Sequence, residues 1–530
     1  MVYSQSEMLE EEIFLFNKIE DETRPVMAHL KAVCFLRPTE NNIRLLKNEL
    51  KNPKYGEYYL FFSNVLQKKY LEYLAEADQY EVIMQIQEYY GDYFAINPDT
   101  WHLNLPIETC VSTKLSSWTE TQSRIEEGLL SCLLSLRVLP AIRAQKSSAM
   151  AMTVAQGISD EITNNAPLFE KLKPSSPSDV PPILLILDRR DDPVTPLLSQ
   201  WTYQSMIHEL IGINNEMVTL PENSTVDPGS TVLLSPLRDP FYKEFMYDDF
   251  GNLGIAVKKL VDEFQSRNKI NKEIKTIDDM KKFVTEYPQF KAESSNVRKH
   301  VAIMESLQRI ITKRKLFDIS ELEQHLACNE DYSYAVKKLD EVFNLPETDP
   351  NDLLRILILF QLRYEFNRDA GNTINKYMAI LKSRSVSEDD LSVVSTALKY
   401  GGTSCRSEHN NLFENKDIRD TLRSMVKTDI FTVSNVFTQH KPLIHQLVNS
   451  ILSANLSEES YPYFGGSLQK AKPTKVILFI LGGITFEEAF AVQELNKSKQ
   501  PAKVVLGGTQ ILSSSRFLQL LKDASKDKLW

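Results

Sequence analysis

The stretch "ILLILDRRDDPVTPLLSQWTYQSMIHELIGI", from Ile183 to Ile213, decides how the chain is read. Ile183 to Leu187 form an unbroken aliphatic run of the kind found in strands covered on both faces. Ligands of open α/β sheets bind beyond the carboxyl ends of such strands, and there the sequence places Asp188, Arg189, Asp191 and Asp192. A phosphoaspartyl-type site needs two carboxylates two residues apart, a spacing that Asp188, Asp191 and Asp192 do not supply. Neither a phosphate loop ending in Gly-Lys-Ser/Thr nor a spaced-glycine dinucleotide fingerprint is present. Thr195 as an N-cap, Pro196 at the first helical position and apolar residues from Leu197 to Ile211 predict a helix that Gly212 ends. The stretch thus reads as strand, rigid turn and helix, with Asp188, Arg189 and Asp192 as structural turn residues satisfied by the turn and by each other. The competing class is a phosphohydrolase using Asp188 and Asp192 with a divalent metal.

Bulk properties narrow the alternatives. At 530 residues the chain exceeds one hydrophobic core and predicts two to four domains. With 42% apolar and 25% charged residues its composition is that of an ordinary globular protein. A formal charge of -10 argues against nucleic acid as the main ligand. The cysteines Cys34, Cys110, Cys132, Cys328 and Cys405 are odd in number and scattered, which suggests neither a disulfide framework nor a zinc site and points to a reducing compartment. His208 lacks the second histidine of a zinc protease, and His440 and His445 stand too far apart in angle to share a helix face. No metal and no cofactor is expected. The N-terminus lacks the layout of a signal peptide, and no apolar run approaches a membrane span.

The pattern along the chain begins as α/β. "AVCFLRP", "YYLFFSN" and "DYFAINP" read as strands, with an amphipathic helix over "KYLEYLAEADQYEVIMQIQEYY". Helical patterns follow from about Ser123 to Leu139 and Ala149 to Ile162. From about Asn214 to Ser450 long helical patterns dominate, and "KVILFILGG" and "KVVLGGTQIL" then return to buried strands that need a sheet to join. The division predicted is an N-terminal α/β domain, 1–99; a discontinuous central α/β domain, 100–213 with 451–530; and a mainly helical insertion with a hairpin, 214–450. Gly482-Gly483 and Gly507-Gly508 read as tight turns or close packing after strands. Long amphipathic helices presented by an insertion are suited to holding another helix.

"LLILDRRDDPVTPLLSQWTYQSMIHELIGI", "VILFILGGITFEEAFAVQEL" and "KVVLGGTQIL" resemble the hallmark segments of the Sec-1/Munc-18-like (SM) family of SNARE-regulating proteins. "YPQFK", "SNVRKHV", "ELEQHLAC" and "YPYFGG" are similar to its endosomal branch, and the resemblance covers essentially the whole chain. It implies an arch-shaped α/β fold, with two parallel-sheet α/β domains and a large mainly helical insertion in the second. It implies a non-enzymatic, SNARE-binding chaperone of vesicle docking and membrane fusion in the endosomal and trans-Golgi pathway, which binds a syntaxin and promotes SNARE complex assembly. Its expected partners are a syntaxin-type SNARE and the assembled SNARE complex, not nucleic acid. It would act as a monomer in the cytoplasm, reaching endosome and Golgi membranes only through SNAREs. Family members ordinarily begin with a further strand ending in an aspartate, ahead of the segment matching "MVYSQSE", so the first domain is expected to lack its first strand here. Carried over by position, the pocket for a syntaxin N-terminal peptide would be lined by Leu71, Leu74, Tyr89 and Tyr90. The syntaxin cleft would include Lys18, Glu20, Asp21 and Arg24, and the hairpin guiding SNARE helices Pro288, Gln289, Phe290 and Val301. Ordinary readings compete: the pocket residues also suit the buried stripe of a helix, the cleft residues a solvated loop.

Overall fold

The computed structural model of the chain describes residues 8, 12–172, 180–214, 216–222, 224, 228–271, 277–407, 412–413, 437, 439–465, 472–498 and 502–526, without the side chains of 267–292 and 526. The chain divides into one unit of Met1–Leu187, Ile451–Leu481 and Gln500–Gln510, and another of Asp188–Ser450, Gly482–Lys499 and Ile511–Trp530.

The first unit opens with parallel strands β1 (Met27–Leu36), β2 (Tyr55–Phe62) and β3 (Ile83–Glu88), paired in the order β1-β2-β3. Parallel neighbours need crossover connections, and these carry α1 (Glu40–Lys51) and α2 (Lys68–Ala77). Both helices bury their apolar stripe on the same face, where Leu46 and Leu50 of α1 and Leu74 and Ala77 of α2 meet Tyr58, Leu60 and Phe62 of β2. The helix expected from Tyr70 to Tyr90 is therefore two elements. Asp78 divides them, its carboxylate accepting the N–H groups of Val82 at 2.8 Å and Ile83 at 3.1 Å while Glu81 takes a left-handed φ of 54°. Such side-chain capture competes with helical hydrogen bonding. Beyond it, Val82, Ile83 and Ile86 favour a strand.

A larger sheet fills the rest of this unit. Its first strands are β4 (Phe94–Asn97), β5 (Thr100–His102), β6 (Ala141–Ala144) and β7 (Ile183–Asp188). After the hairpin β8 (Met217–Thr219) and β9 (Thr231–Leu233) of the second unit come β10 (Tyr463–Phe464), β11 (Lys475–Leu481) and β12 (Lys503–Gly508). The order is β10-β6-β7-β11-β12-β5-β4, so the two late strands sit inside the sheet between β7 and β5. Strands β7 and β11 are buried almost throughout, as their unalternating aliphatic sequences require. Helices α3 (Trp118–Ser135) and α4 (Ala149–Asn164) cover one face, packing Ile125, Leu129 and Leu133, with Val154 and Ile158, on Leu184, Ile186, Ile477 and Phe479. The short α5 (Ala166–Phe169) follows. Arg143 of β6 holds the returning chain, its buried guanidinium donating to the carbonyls of Tyr461, Ser457 and Leu456 at 2.8, 2.8 and 3.1 Å.

The second unit is mainly helical: α6 (Tyr203–Leu210), α7 (Pro240–Phe245), α8 (Phe250–Asn271), α9 (Ile277–Lys313), α10 (Leu316–Cys328), α11 (Tyr332–Phe343), α12 (Pro350–Arg363), α13 (Ala370–Ser383), α14 (Glu388–Gly401), α15 (Leu443–Leu452, which runs on into the first unit), α16 (Phe486–Lys497) and α17 (Ser514–Lys526). The helix expected from Thr195 begins later. Thr195–Leu197 make one 3-10 turn, Leu198 is extended, and α6 starts at Tyr203. The Asp192 carboxylate accepts the N–H groups of Val194 and Thr195 and so caps this turn, which stops where Leu198 turns extended at φ -83°, ψ 146°. Gly212 closes α6 as expected, at φ +102° with its N–H 2.7 Å from the Ile207 carbonyl.

Gly507 on β12 faces Trp101, which stacks on Phe479 at 5.4 Å, and a Cβ there would lie 2.3 Å from the indole. Gly507→Ala is expected to destabilise the protein by about 1–3 kcal/mol in urea unfolding, since an overpacked core must shift. Gly371→Ala, within α13 where a Cβ meets nothing within 4 Å, serves as the control and should not destabilise.

Candidate functional site

The turn after β7 uses its charges completely. Asp188 pairs with Arg190, accepting its backbone N–H at 3.0 Å and its guanidinium at 2.6 Å. Asp191 takes the N–H and hydroxyl of Ser407 at 2.7 and 3.0 Å. One Asp192 oxygen receives Val194 and Thr195 N–H, and the other the Thr195 hydroxyl at 2.6 Å and the Leu443 N–H at 3.2 Å. Each carboxylate thus fixes a loop or helix start, and among the described residues no group of acids and histidines is arranged to hold a metal ion.

Arg189 reaches farther than the sequence suggested. Its side chain is 1% exposed and makes two 2.7 Å bonds to the Glu488 carboxylate, with further bonds to the carbonyls of Gly483 and Asp192 at 3.1 Å each. Burial disfavours the guanidinium charge, but Glu488 more than restores it and raises the pKa. Glu488 is itself set by a capping box, in which Thr485 accepts the Glu488 N–H while the Glu488 carboxylate accepts that of Thr485. This partner was missed because "TFEE" reads locally as a helix start and nothing in one sequence links it to a residue far upstream. Gly482 sits at φ +87° where a Cβ would come 2.9 Å from the Arg189 Cβ, so this tight turn lets the two stretches close up. Buried His440 donates from Nε2 to the Thr195 hydroxyl at 3.1 Å, since that hydroxyl's own proton goes to Asp192. Its Nδ1 has no partner among the described residues.

The residues expected to line a peptide pocket do not converge. Leu74 is fully buried in the core under α2, while Leu71 is 40% exposed on the same helix. Tyr89 contacts Phe35 edge-on, and the pleat puts Phe35 on the face opposite Cys34 and Leu36, away from α2. Tyr90 packs toward the larger core and bonds Glu88. What lies on the α2 side instead is Ile86, paired in register with Leu60 on the edge strand β3 and 37% exposed. Leu71 on α2 and Ile86 on the edge strand β3 are thus both partly exposed apolar residues of this domain, while Leu74 lies in its core. Ile86 was not among the residues carried over by position, and its exposure on a sheet edge shows only once β3 is paired with β2.

In the expected cleft, Lys18 and Glu20 are exposed, but Asp21 and Arg24 build their own turn. Asp21 accepts from Thr23, and Arg24 bonds the carbonyls of Asp21 and Ile19 and the Glu49 carboxylate at 2.9 Å. Pro288, Gln289 and Phe290 fall within α9, with side chains outside the described residues, and Val301 is half-buried farther along it.

This combination of sheets, buried turn and long helical excursion is that of an SM protein. A sequence model of the Sec1 family matches residues 1–520, and the chain belongs to that family. It is 42% identical over 521 residues to vacuolar protein sorting-associated protein 45 of Dictyostelium discoideum, covering 98% of this chain and 90% of the relative. Its likeness to the Homo sapiens protein of that name is 40% over 522 residues, 98% and 89% of the two. Among solved structures, the SM protein Vps45 in complex with the Qa SNARE Tlg2 superposes with a TM-score of 0.89 at 38% identity, covering 99% of this chain and 92% of that one. The Unc18–syntaxin 1 complex of Monosiga brevicollis, 19% identical with a TM-score of 0.77 over 98% and 92%, shares the fold.

Glu488→Gln is expected to cost about 3–5 kcal/mol in chemical denaturation, because it strands a buried guanidinium, and the Arg189→Met/Glu488→Leu pair less than the sum of its single changes. Burial lowers the His440 pKa despite Asp192, so the unfolded chain takes up its proton first on acidification. Stability from this group is complete above the ordinary imidazole value and is lost as pH falls below about 6.5. The expected slope approaches 1.4 kcal/mol per pH unit for each such imidazole, about the linkage maximum, and a pH series of urea midpoints in His440→Gln should be measurably flatter.

Proposed function

We propose that this chain is a SNARE-binding regulator of vesicle docking and membrane fusion in endosomal and trans-Golgi transport. The observation that carries the reading is its 38% identity over 99% of its length to an SM protein solved with a Qa SNARE. It binds a syntaxin-type SNARE and the assembled SNARE complex and promotes assembly, as a monomeric, non-enzymatic chaperone. Two observations support this. The carboxylates of the turn after β7 are consumed by structure, and among the described residues no helix is long and apolar enough to cross a membrane.

The proposed division of labour follows the three predicted domains, 1–99, 100–213 with 451–530, and 214–450. The syntaxin N-terminal peptide binds on the α2 side of the first sheet, where its apolar side chains would cover the partly exposed Leu71 and Ile86. Exposed Lys18 and Glu20 face syntaxin helices, and α9 carries the SNARE-guiding hairpin. Assembly is promoted by differential affinity: whichever SNARE state binds more tightly accumulates.

Calorimetric titration with syntaxin cytoplasmic domains, with and without their N-terminal peptides, tests the reading. Tight binding to one of them is expected. Leu71→Arg should weaken it about tenfold or more, or 1.4 kcal/mol, only when the N-terminal peptide is present. Absence of binding to every syntaxin by the folded protein would overturn the proposal.

A further inference from the structure

Helix α9 changes character at Val297. Beyond it Ala302, Ile303, Leu307 and Ile311 are buried, whereas Glu293 to Asn296 are exposed or half-buried. At this point of entry into the core one carboxylate gathers three side chains of the helix. Asp239 Oδ2 lies 2.9 Å from His300 Nε2 and 2.5 Å from Lys299 Nζ, and Oδ1 lies 3.5 Å from Asn296 Nδ2. Oδ1 also accepts the Tyr242 N–H at 3.0 Å, capping α7. His300 is wholly buried against Phe241, with ring centroids 4.4 Å apart. Its Nε2–H serves Asp239, so its Nδ1 accepts from the Tyr203 hydroxyl of α6 at 2.9 Å. Three elements therefore meet through one polar chain. Burial opposes the Asp239 charge, but His300 and Lys299 outweigh it and hold the carboxyl far below its usual range.

We propose that Asp239 is a positioning residue whose contacts to Asn296, Lys299 and His300 set the tilt and axial rotation of α9, and hence the direction in which this helix meets SNARE helices. This rests on the reading of α9 as the SNARE-guiding hairpin. Apolar burial is non-directional and holds the helix down without fixing its rotation. Hydrogen bonds weaken steeply when misaligned, and Asn296, Lys299 and His300 stand at i, i+3 and i+4, one stripe of the helix surface. Position 290 is roughly 15 Å up the axis from position 300, so a tilt of about 20° at the clasp moves it by roughly 5 Å.

The test uses the full chain with the partly exposed Cys34, Cys328 and Cys405 replaced by serine and spin labels on Lys282→Cys in α9 and Lys337→Cys in α11. Electron–electron double resonance distances are compared with those in Asp239→Asn, which keeps a capping oxygen, and in Tyr203→Phe, which removes only a hydroxyl should the first variant fold poorly. Shifted or broadened distances with a retained cooperative thermal transition are expected, along with a loss of affinity for a preassembled SNARE complex of about fivefold or more and unchanged binding of the syntaxin N-terminal peptide. Unchanged distances in the folded variants would overturn the proposal. Altered distances with unaltered SNARE affinity would uphold the positioning role and overturn the SNARE reading of α9.

Discussion

A guanidinium 1% exposed has no water to fall back on, and everything around Arg189 is arranged to replace that water. Glu488 supplies the opposite charge, Gly483 and Asp192 supply carbonyls, and Gly482 withholds a side chain so that these groups can close in. The pair needs this surrounding set, because buried ions are stable only when their remaining donors and acceptors are also met. Asp192, freed from pairing with Arg189 by Glu488, spends both oxygens on Val194, Thr195 and Leu443. The turn, the start of α15 and the start of α16 are thereby fixed by one connected polar network.

The first unit faces the same difficulty and meets it with different chemistry. Arg143 lies on a central-sheet strand where the chain returns from its long excursion, and it uses three backbone carbonyls and the Tyr463 ring, 4.6 Å away. Carbonyls cost less to desolvate than a carboxylate, and these belong to the backbone of the returning segment, so the arginine holds its path chiefly through main-chain groups, with one aromatic side chain added. Each unit therefore locks together sequence-distant pieces with a buried arginine.

Much of this was legible in order but not in pairing. The aliphatic runs at Ile183–Leu187 and Val476–Leu481 announced strands buried on both faces, and both lie within one sheet. That Asp188, Arg189 and Asp192 serve architecture was also readable, because none of the spacings that chemistry requires was present. The partners were not: Arg189 turned out to need Glu488, and Asp191 to need Ser407, contacts that local pattern cannot encode. From Lys69 to Tyr90 the helical period of Leu71, Leu74 and Ala77 carried the reading past Asp78, whose carboxylate redirects the backbone. That reading ran one helix through what the structure divides into α2 and the strand β3. Arg24, read as a surface charge, is committed to Glu49, which also receives the Tyr58 hydroxyl at 2.8 Å.

The spacing of the central ion pair has a consequence for the way the protein is made. Arg189 and Glu488 are 299 residues apart, and a ribosome adding about 5–20 residues per second leaves the arginine waiting roughly 15–60 s for its acid. Over that interval the helices that follow Arg189 emerge one after another without the carboxylate that pairs with it. The ion pair of this unit can therefore close only after translation has passed Glu488, and a chain that stops short of that residue leaves a buried guanidinium without its acid.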